Sequence, residues 1–355
     1  MPSREVWRID RAGSLNRLTR RTETLPPPAP GEARVVVTAI GVNFADVFAC
    51  LGLYSATPAG SFIPGLEFAG VVDEVGPRGA ERDDDRIRPG DLVVGLTRFG
   101  GYATLVNAPR RLLRPVRPGW DPAEAVALPA QGLTAWYGLV KLGAIERGDV
   151  VLLHSAAGGV GLNALAILGA LGARTIATVG SEAKRQWLVE HRGLATDQVV
   201  VRDPRSFGRD LDCALAALGA PGFDVVFDAV SGPYLAPAYE RLNAEGRLVV
   251  YGAADFMPRG ARPDYLRLAL RYLRRPRLDP LQMISANRSV MGFNLIWLWD
   301  RLEQLAAGYD ALDRLITSPP LVGRRCPFAD APAALRHLQG GRSIGKVVIE
   351  VNHGA

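Results

Sequence analysis

The 355-residue sequence predicts an α/β protein in two units, one rich in β-strands and one built on a doubly wound parallel sheet. Three observations carry this. Val-rich runs closed by Gly or Asn fill the first ~120 residues. From Val150 onward, apolar strand-like runs alternate with helix-like stretches. Between the two regions lies "DVVLLHSAAGGVG" (149–161), a buried strand running into a small-residue turn.

The early strands are "ARVVVTAIGVN" (33–43), "EFAGVVDEVG" (67–76) and "RPGDLVVGL" (88–96), with a helix-like "ADVFACLG" (45–52) between the first two. "AERDDDRIRPGD" (80–91) reads as a charged surface loop by composition. A helical stretch from Asp121 to Gly143 leads into the strand at 149–156. Then "NALAILGALGA" is a helix, "RTIATVG" a strand, "SEAKRQWLVEHRG" a helix and "QVVVR" a strand. "SFGRDLDCALAALG" is a helix, "FDVVFDAV" a strand, "PYLAPAYERLNAEG" a helix and "RLVVYGA" a strand. After Ala253 the alternation breaks. An Arg-rich helical piece (259–277), "SVMGFNL", a helix around 297–315 and "GKVVIEV" (345–351) hold too few strands for a third domain, so this part is expected to fold back on the first. The expected boundaries are 1–125 with 290–355 for the β-rich unit, and 126–289 for the parallel-sheet unit.

Composition narrows the function classes. Apolar stretches such as Ala164 to Leu171 fall well short of the ~20 residues that span a bilayer. No basic n-region with an apolar h-region opens the sequence. Cys50, Cys213 and Cys326 are odd in number and widely spaced, forming neither a disulfide framework nor a metal knuckle, which fits a reducing cytoplasm. The net charge of +6 lies in one place. Arg259, Arg262, Arg267, Arg271, Arg274, Arg275 and Arg277 face a single Asp264, and no aromatic-interleaved nucleic-acid module accompanies them.

In the turn at 155–161, a pyrophosphate must approach backbone N–H groups at a helix N-terminus, and a Cβ at the contact points would block it. Ala156, Gly158 and Gly161 hold the GxGxxG positions, with Ala in the first, and Gly159 and Val160 complete the turn. The preceding strand and following βαβ series support a dinucleotide site over a merely structural turn. His154, closing the buried strand, reads as a packing residue. After the second strand, "RTIATV", no acid stands where a ribose 2′-hydroxyl would be read. Ser181 can donate to a 2′-phosphate and Lys184 can neutralise it, which favours NADPH. The alternative is that Lys184 and Arg185 belong to a solvated helix face.

With these features the sequence resembles the medium-chain dehydrogenase/reductase superfamily over nearly its whole length. The resemblance rests on "GVNFADVFACLGLY" (41–54), "PGLEFAGVVDEVG" (64–76), "ALPAQGLTAWYGL" (127–139), "SAAGGVG" (155–161), "GFNL" (292–295) and "GKVVI" (345–349). The quinone oxidoreductase branch looks closest, and "ISANRSVMGFNL" (284–295) is similar to the vesicle amine transport protein-like group. The resemblance implies a GroES-like catalytic domain beside a Rossmann nucleotide-binding domain, with homodimerisation through the edge of the nucleotide-domain sheet. Zinc-dependent members place Cys, His and Cys where this sequence has Asn43, Leu66 and Ala130 or Gln131. Leu66 and Ala130 carry no ligand atom, so no metal is expected.

Zinc-free relatives reduce activated C=C bonds, and the resemblance therefore implies an NADPH-dependent reductase of α,β-unsaturated carbonyls. A short or branched enoyl-CoA-type thioester, possible also on a carrier protein, stands ahead of a free enone or quinone. A non-catalytic NADPH-binding or regulatory protein is the alternative from another class. Tyr54 matches the tyrosine that enoyl thioester reductases use near the substrate carbonyl, unless it only packs. Asn43 is expected at the nicotinamide ribose or substrate, and Asp46 as an orienting neighbour. Phe48 stands where several quinone reductases have Tyr, which weakens a quinone assignment. Gln131, Thr134, Tyr251, Gly252, Phe293, Asn294 and Lys346 complete the expected cofactor site. Arg271, Arg274 and Arg275 are candidates to hold coenzyme A phosphates; the alternatives are a solvated helix face or a dock for an acidic carrier protein.

Overall fold

The computed structural model describes residues 1–79 and 86–353. Of the charged loop expected at 80–91, residues 80–85 lie outside the described residues.

A hairpin of β1 (Ser3–Ile9) and β2 (Leu18–Thr24) opens the chain. There follow β3 (Glu32–Val42), α1 (Phe44–Cys50), β4 (Glu67–Val75), β5 (Leu92–Leu96), β6 (Leu105–Pro109) and β7 (Leu113–Pro115). Helices α2 (Pro122–Ala125) and α3 (Pro129–Trp136) lead onward, and the second continues as a wider π-helical turn over Tyr137–Leu142. The alternating region runs β8 (Val150–Leu153), α4 (Gly159–Leu171), β9 (Arg174–Val179), α5 (Glu182–Arg192), β10 (Val199–Val201), α6 (Phe207–Leu218), β11 (Phe223–Asp228), α7 (Leu235–Glu240) and β12 (Leu242–Val250). Last come α8 (Tyr265–Leu273), α9 (Pro280–Ala286), β13 (Ser289–Gly292), α10 (Leu302–Leu315), β14 (Val322–Pro327), α11 (Ala331–Gln339) and β15 (Lys346–Glu350).

Strands β8 to β13 form a six-stranded, wholly parallel sheet in the order β10-β9-β8-β11-β12-β13. This is the Rossmann order, with the switch point between β8 and β11. All four β8 residues are buried, which is why that run shows no alternation. The other sheet has seven strands in the order β14-β15-β3-β4-β5-β7, with β6 on β3. Eleven-residue β3 organises it: β4 lies along one edge, while the other edge pairs first with β6 and then with β15.

Several element limits differ from the sequence expectation, each for a local reason. The helix expected through Gly246 stops at Glu240, because Leu242 already pairs with Phe223 on β11. The Arg-rich helix occupies only Tyr265–Leu273, since Pro263 and Pro276 bracket it and the Asp264 carboxylate accepts from Arg267 N at 3.0 Å as its N-cap. The helix around 297–315 begins at Leu302, after a 3-10 turn at Leu295–Leu298.

The last part divides between both sheets instead of folding wholly back on the first. β13 extends the parallel sheet beside β12, and α10 packs on α3: a Cβ at Gly308 would lie 2.6 Å from the Leu133 side chain. Leu305, Tyr309 and Leu312 share the core that contains Val151 and Leu153. β14, β15 and α11 return to the β-rich unit, β15 pairing with β3, β14 with β15, and α11 packing into its core. On this packing we propose that the crossing back falls after Ile316, not near residue 290.

Candidate active site

The cleft opens where the two sheets meet, at the switch point, and holds about 1140 Å³. Its floor is the strand–turn–helix of β8 and α4. Ser155 takes a left-handed backbone (φ 55°) to start the turn, and Gly158 is the N-cap of α4. The first i→i−4 bond runs from Leu162 N to Gly158 O, leaving the Gly159, Val160 and Gly161 amides for an anion. A Cβ at Gly161 would lie 2.5 Å from the carbonyl oxygens of Ser155 and Ala156, so only glycine lets the helix sit on the turn. At Gly159 a Cβ would lie 1.8 Å from Gln131 Oε1.

Ser155, Ala157, Gly158, Gly159, Val160 and Gly161 line this floor. Ala156 does not, contrary to its expected place on the cofactor. It is fully buried, and its N–H donates to Thr178 O on β9 at 3.1 Å. Its smallness serves helix–strand packing. His154 is likewise inside, Nδ1 3.2 Å from Thr178 Oγ1, and burial pushes its imidazole down to about 4. The ring is therefore neutral and packs against Phe207.

Gln131, Thr134, Tyr251, Gly252, Phe293 and Asn294 line the cleft as well. Thr134 Oγ1 donates to Ala130 O at 2.6 Å, so its lone pairs remain for other donors. Gln131 Oε1 is buried with no hydrogen-bond partner, an acceptor suited to a carboxamide N–H. Tyr251 is stacked on Phe227 at 4.2 Å between ring centroids.

Lys184 and Arg202 also line the cleft. Lys184 Nζ donates to Gly341 O at 2.7 Å, and Arg202 to Thr178 Oγ1 at 2.9 Å. Burial, helped by the Arg202 guanidinium, pushes the Lys184 ammonium down to about 8. Sequence reasoning missed Arg202, although a basic residue closing "QVVVR" next to the second strand was the available signal. Ser181, expected beside Lys184, is exposed before α5 and lies outside the cleft wall.

The β-rich unit contributes Asn43, Phe48, Leu53, Tyr54 and Leu66 to the cleft. The Tyr54 hydroxyl donates to Asn294 Oδ1 at 2.8 Å, and burial pushes its phenol up to about 12. Phe99 meets the Tyr54 ring edge-on at 6.5 Å. Asp46 is buried beneath, accepting from Asn43 N (2.8 Å), Gly65 N (3.2 Å) and the Tyr102 hydroxyl (3.3 Å). Burial pushes its carboxyl up to about 7 against those donors. Asp46 does not line the cleft, so its part is to hold Asn43 and the Gly65 turn, and it is not itself a catalytic group.

Lys346 also departs from expectation. It is fully buried, with Nζ 2.5 Å from Glu67 Oε1 and 2.8 Å from Asn43 Oδ1. Asn43 Nδ2 donates to Glu67 Oε1 at 2.8 Å, and Ala130 N to Glu67 Oε2 at 2.8 Å. The ammonium thus lies among the residues that hold the zinc-ligand positions, and it turns inward to Glu67 instead of lining the cleft. Among the described residues no three His, Cys, Asp or Glu side chains form a metal-binding group. Tyr265, Leu268 and Tyr272 on α8 line the cleft, as does Arg275 just after it, with the Arg275 guanidinium 3.6 Å from the Tyr272 ring centroid. Arg274 points to neither this cleft nor a neighbouring pocket, and Arg271 lines the latter.

A Rossmann sheet, a β-rich unit and one cleft between them, floored by a glycine cradle, define a two-domain protein of the dinucleotide-binding class. The family model "Alcohol dehydrogenase GroES-like domain" matches residues 29–118, and "Zinc-binding dehydrogenase" matches residues 194–349. The synaptic vesicle membrane protein VAT-1 homolog of Rattus norvegicus is 30% identical over 94% of this chain and 80% of its own length. Erythronolide synthase EryA2 of Saccharopolyspora erythraea is 35% identical over 91% of this chain, which spans only 8% of that synthase. Among solved structures, mycobacterial Rv1454c complexed with NADPH is 29% identical, with a TM-score of 0.82 over 98% of this chain and 99% of that one. The CurK enoyl reductase is 25% identical, with a TM-score of 0.77 and the same coverage. The chain belongs to the medium-chain dehydrogenase/reductase superfamily, in its zinc-free branch.

Removing one partner of the buried pair should show what it holds. Lys346→Met leaves the Glu67 carboxylate buried and uncompensated, and unfolding stability should drop by about 3–5 kcal/mol. Adding Glu67→Gln should restore most of it, as read from denaturant midpoints.

Proposed function

We propose that the chain is an NADPH-dependent, zinc-independent reductase of the C=C bond of α,β-unsaturated carbonyls, acting on a short or branched enoyl thioester. The single observation that carries this is the hydrogen bond from Tyr54 to Asn294. It brings a phenol from the β-rich unit onto the loop beside Phe293, in the cleft that Gln131 also lines with an unpartnered acceptor. The cleft fits NADPH in its parts: the Gly158–Gly161 turn for the pyrophosphate, Gln131 and Thr134 for the carboxamide, Lys184 and Arg202 for the 2′-phosphate. When bound there, NADPH supplies the hydride, which goes to the β-carbon of the substrate.

Tyr54 holds the complementary proton. With its phenol pushed up to about 12 it stays protonated at neutral pH, and it can hydrogen-bond the substrate carbonyl or deliver a proton to the α-carbon. Asn43, fixed by Lys346 and Glu67, presents a rigid polar edge to the cleft. Phe48, Leu53 and Leu66 offer apolar wall around it and exclude water from the reacting centre. The relatives support the same reading: one solved neighbour is an enoyl reductase, another carries NADPH.

The chain is further proposed to pair through β13, the open edge of the parallel sheet. Leu281 and Ile284, just before it on α9, are 71% and 76% exposed, more than a lone surface residue of an apolar type needs.

A panel of enoyl thioesters, simple enones and quinones, followed by NADPH oxidation, tests the activity. Tyr54→Phe should lower turnover by about 10²-fold or more while leaving NADPH affinity unchanged. An unchanged rate removes Tyr54 from the chemistry, and tight NADPH binding with no turnover on any substrate makes the chain a non-catalytic binder.

Lys184 sets a pH signature. Its ammonium is charged below about 8 and neutral above, so attraction for a 2′-phosphate is complete at neutral pH and fades as pH rises through that value. Preference for NADPH over NADH should narrow correspondingly. Lys184→Ala should weaken NADPH by roughly tenfold or more at neutral pH and leave NADH unaffected. Light scattering should give twice 38.1 kDa for the native chain, and a single 38.1 kDa for Leu281→Arg combined with Ile284→Arg.

A further inference from the structure

Beside the cleft lies a second, polar pocket of about 560 Å³. Three arginines from three distant segments line it. Arg259 stands in the loop after β12, Arg271 on α8, and Arg342 in the turn between α11 and β15. None of the three forms an ion pair with a carboxylate among the described residues. Asp255 is the one acid on the wall, and its carboxyl group packs toward Gly232, where a Cβ would meet its Cγ at 2.6 Å. Arg271 spends one N–H on the Asp255 carbonyl oxygen, which fixes the guanidinium and leaves its other donors free. Three like charges against one carboxylate repel one another unless an anion joins them, and fixed guanidinium forks suit phosphate oxygens.

The pocket's position says what the anion is attached to. It shares Ala254 with the main cleft, and α8 is the wall between. Leu268 and Tyr272 on that helix line the cleft, while Arg271 lines the pocket. The cofactor's 2′-phosphate has its own partners in the cleft, Lys184 and Arg202, although Lys184 is tied to Gly341 O next to Arg342. A ligand with its reacting group in the cleft and its phosphate beyond α8 satisfies both pockets at once.

We propose that Arg259, Arg271 and Arg342 bind the phosphate of the pantetheine arm of a thioester substrate, so that the enzyme recognises the handle outside the reaction cleft. This rests on the thioester reading of the cleft, but it is tested by binding without turnover. Coenzyme A and a carrier protein share that phosphate, and coenzyme A adds an adenosine 3′-phosphate.

Calorimetric titration of the NADP⁺-saturated protein with 4′-phosphopantetheine, coenzyme A and pantetheine provides the test. Both phosphorylated ligands should bind, and pantetheine should bind at least tenfold more weakly than either. Arg259→Gln and Arg271→Gln should each weaken 4′-phosphopantetheine by about tenfold, with NADPH affinity and melting temperature unchanged. Equal binding of 4′-phosphopantetheine and coenzyme A assigns the pocket to the shared phosphate. Binding of coenzyme A alone overturns that assignment. So does equal binding of pantetheine, and so does a loss of NADPH affinity in the arginine variants, which would give the pocket to the cofactor. A chain that fails to oxidise NADPH with any enoyl thioester, yet binds 4′-phosphopantetheine through these arginines, would fail the reductase reading alone.

Discussion

The buried ion pair of Lys346 and Glu67 is the contact on which the two units depend. Glu67 sits on β4 and uses one carboxylate oxygen for Lys346 on β15 and for Asn43 at the start of α1. Its other oxygen takes the N–H of Ala130 on α3, the helix that leads into the Rossmann unit. A single carboxylate therefore ties together two strands and two helices at the back of the cleft. Nothing larger than glycine fits opposite it, since a Cβ on Gly41 would lie 2.5 Å from Glu67 Oε1. Burying two charges is costly, and the cost is offset only because every strong partner is present at once. The arrangement specifies where Asn43 faces more than it adds stability.

From that anchor the cleft acquires its polarity. Its centre is apolar, walled by Phe48, Leu53, Leu66 and α8. Its polar groups include the amides at the α4 start, Gln131 and Thr134, Asn43 and Tyr54, and the cations Lys184 and Arg202. The charge excess of the Arg-rich segment divides on folding. Arg275 turns to the cleft, Arg271 to the neighbouring pocket, and Arg274 to solvent. α8 ends at Leu273, so Arg274 and Arg275 follow the helix and are not held to the face that carries Arg271.

Much of the fold was legible beforehand because its signals are local. The βαβ alternation, the buried β8 run and the small-residue turn each reflect constraints within a few residues, and the doubly wound parallel sheet followed from them. The limits that moved did so where a neighbour competed. Leu242 was taken by β11, and β13 with α10 was taken by the parallel sheet although the sequence offered no local mark of it. In the site, Tyr54, Asn43, Gln131, Thr134, Lys184, Phe293 and Asn294 all reach the cleft. Ala156, Asp46 and Lys346 support it from within, and Ser181 stays outside.

By itself the sequence determined the two kinds of unit, the dinucleotide cradle and the lack of metal-ligand atoms at Leu66 and Ala130, since each is a property of residue type in a short span. Only the tertiary structure decided that Lys346 turns inward to Glu67, that Arg202 joins Lys184, and that Arg259, Arg271 and Arg342 share a pocket. Those are meetings of residues tens to hundreds of positions apart, and which charge finds which partner depends on burial and approach that no local pattern records.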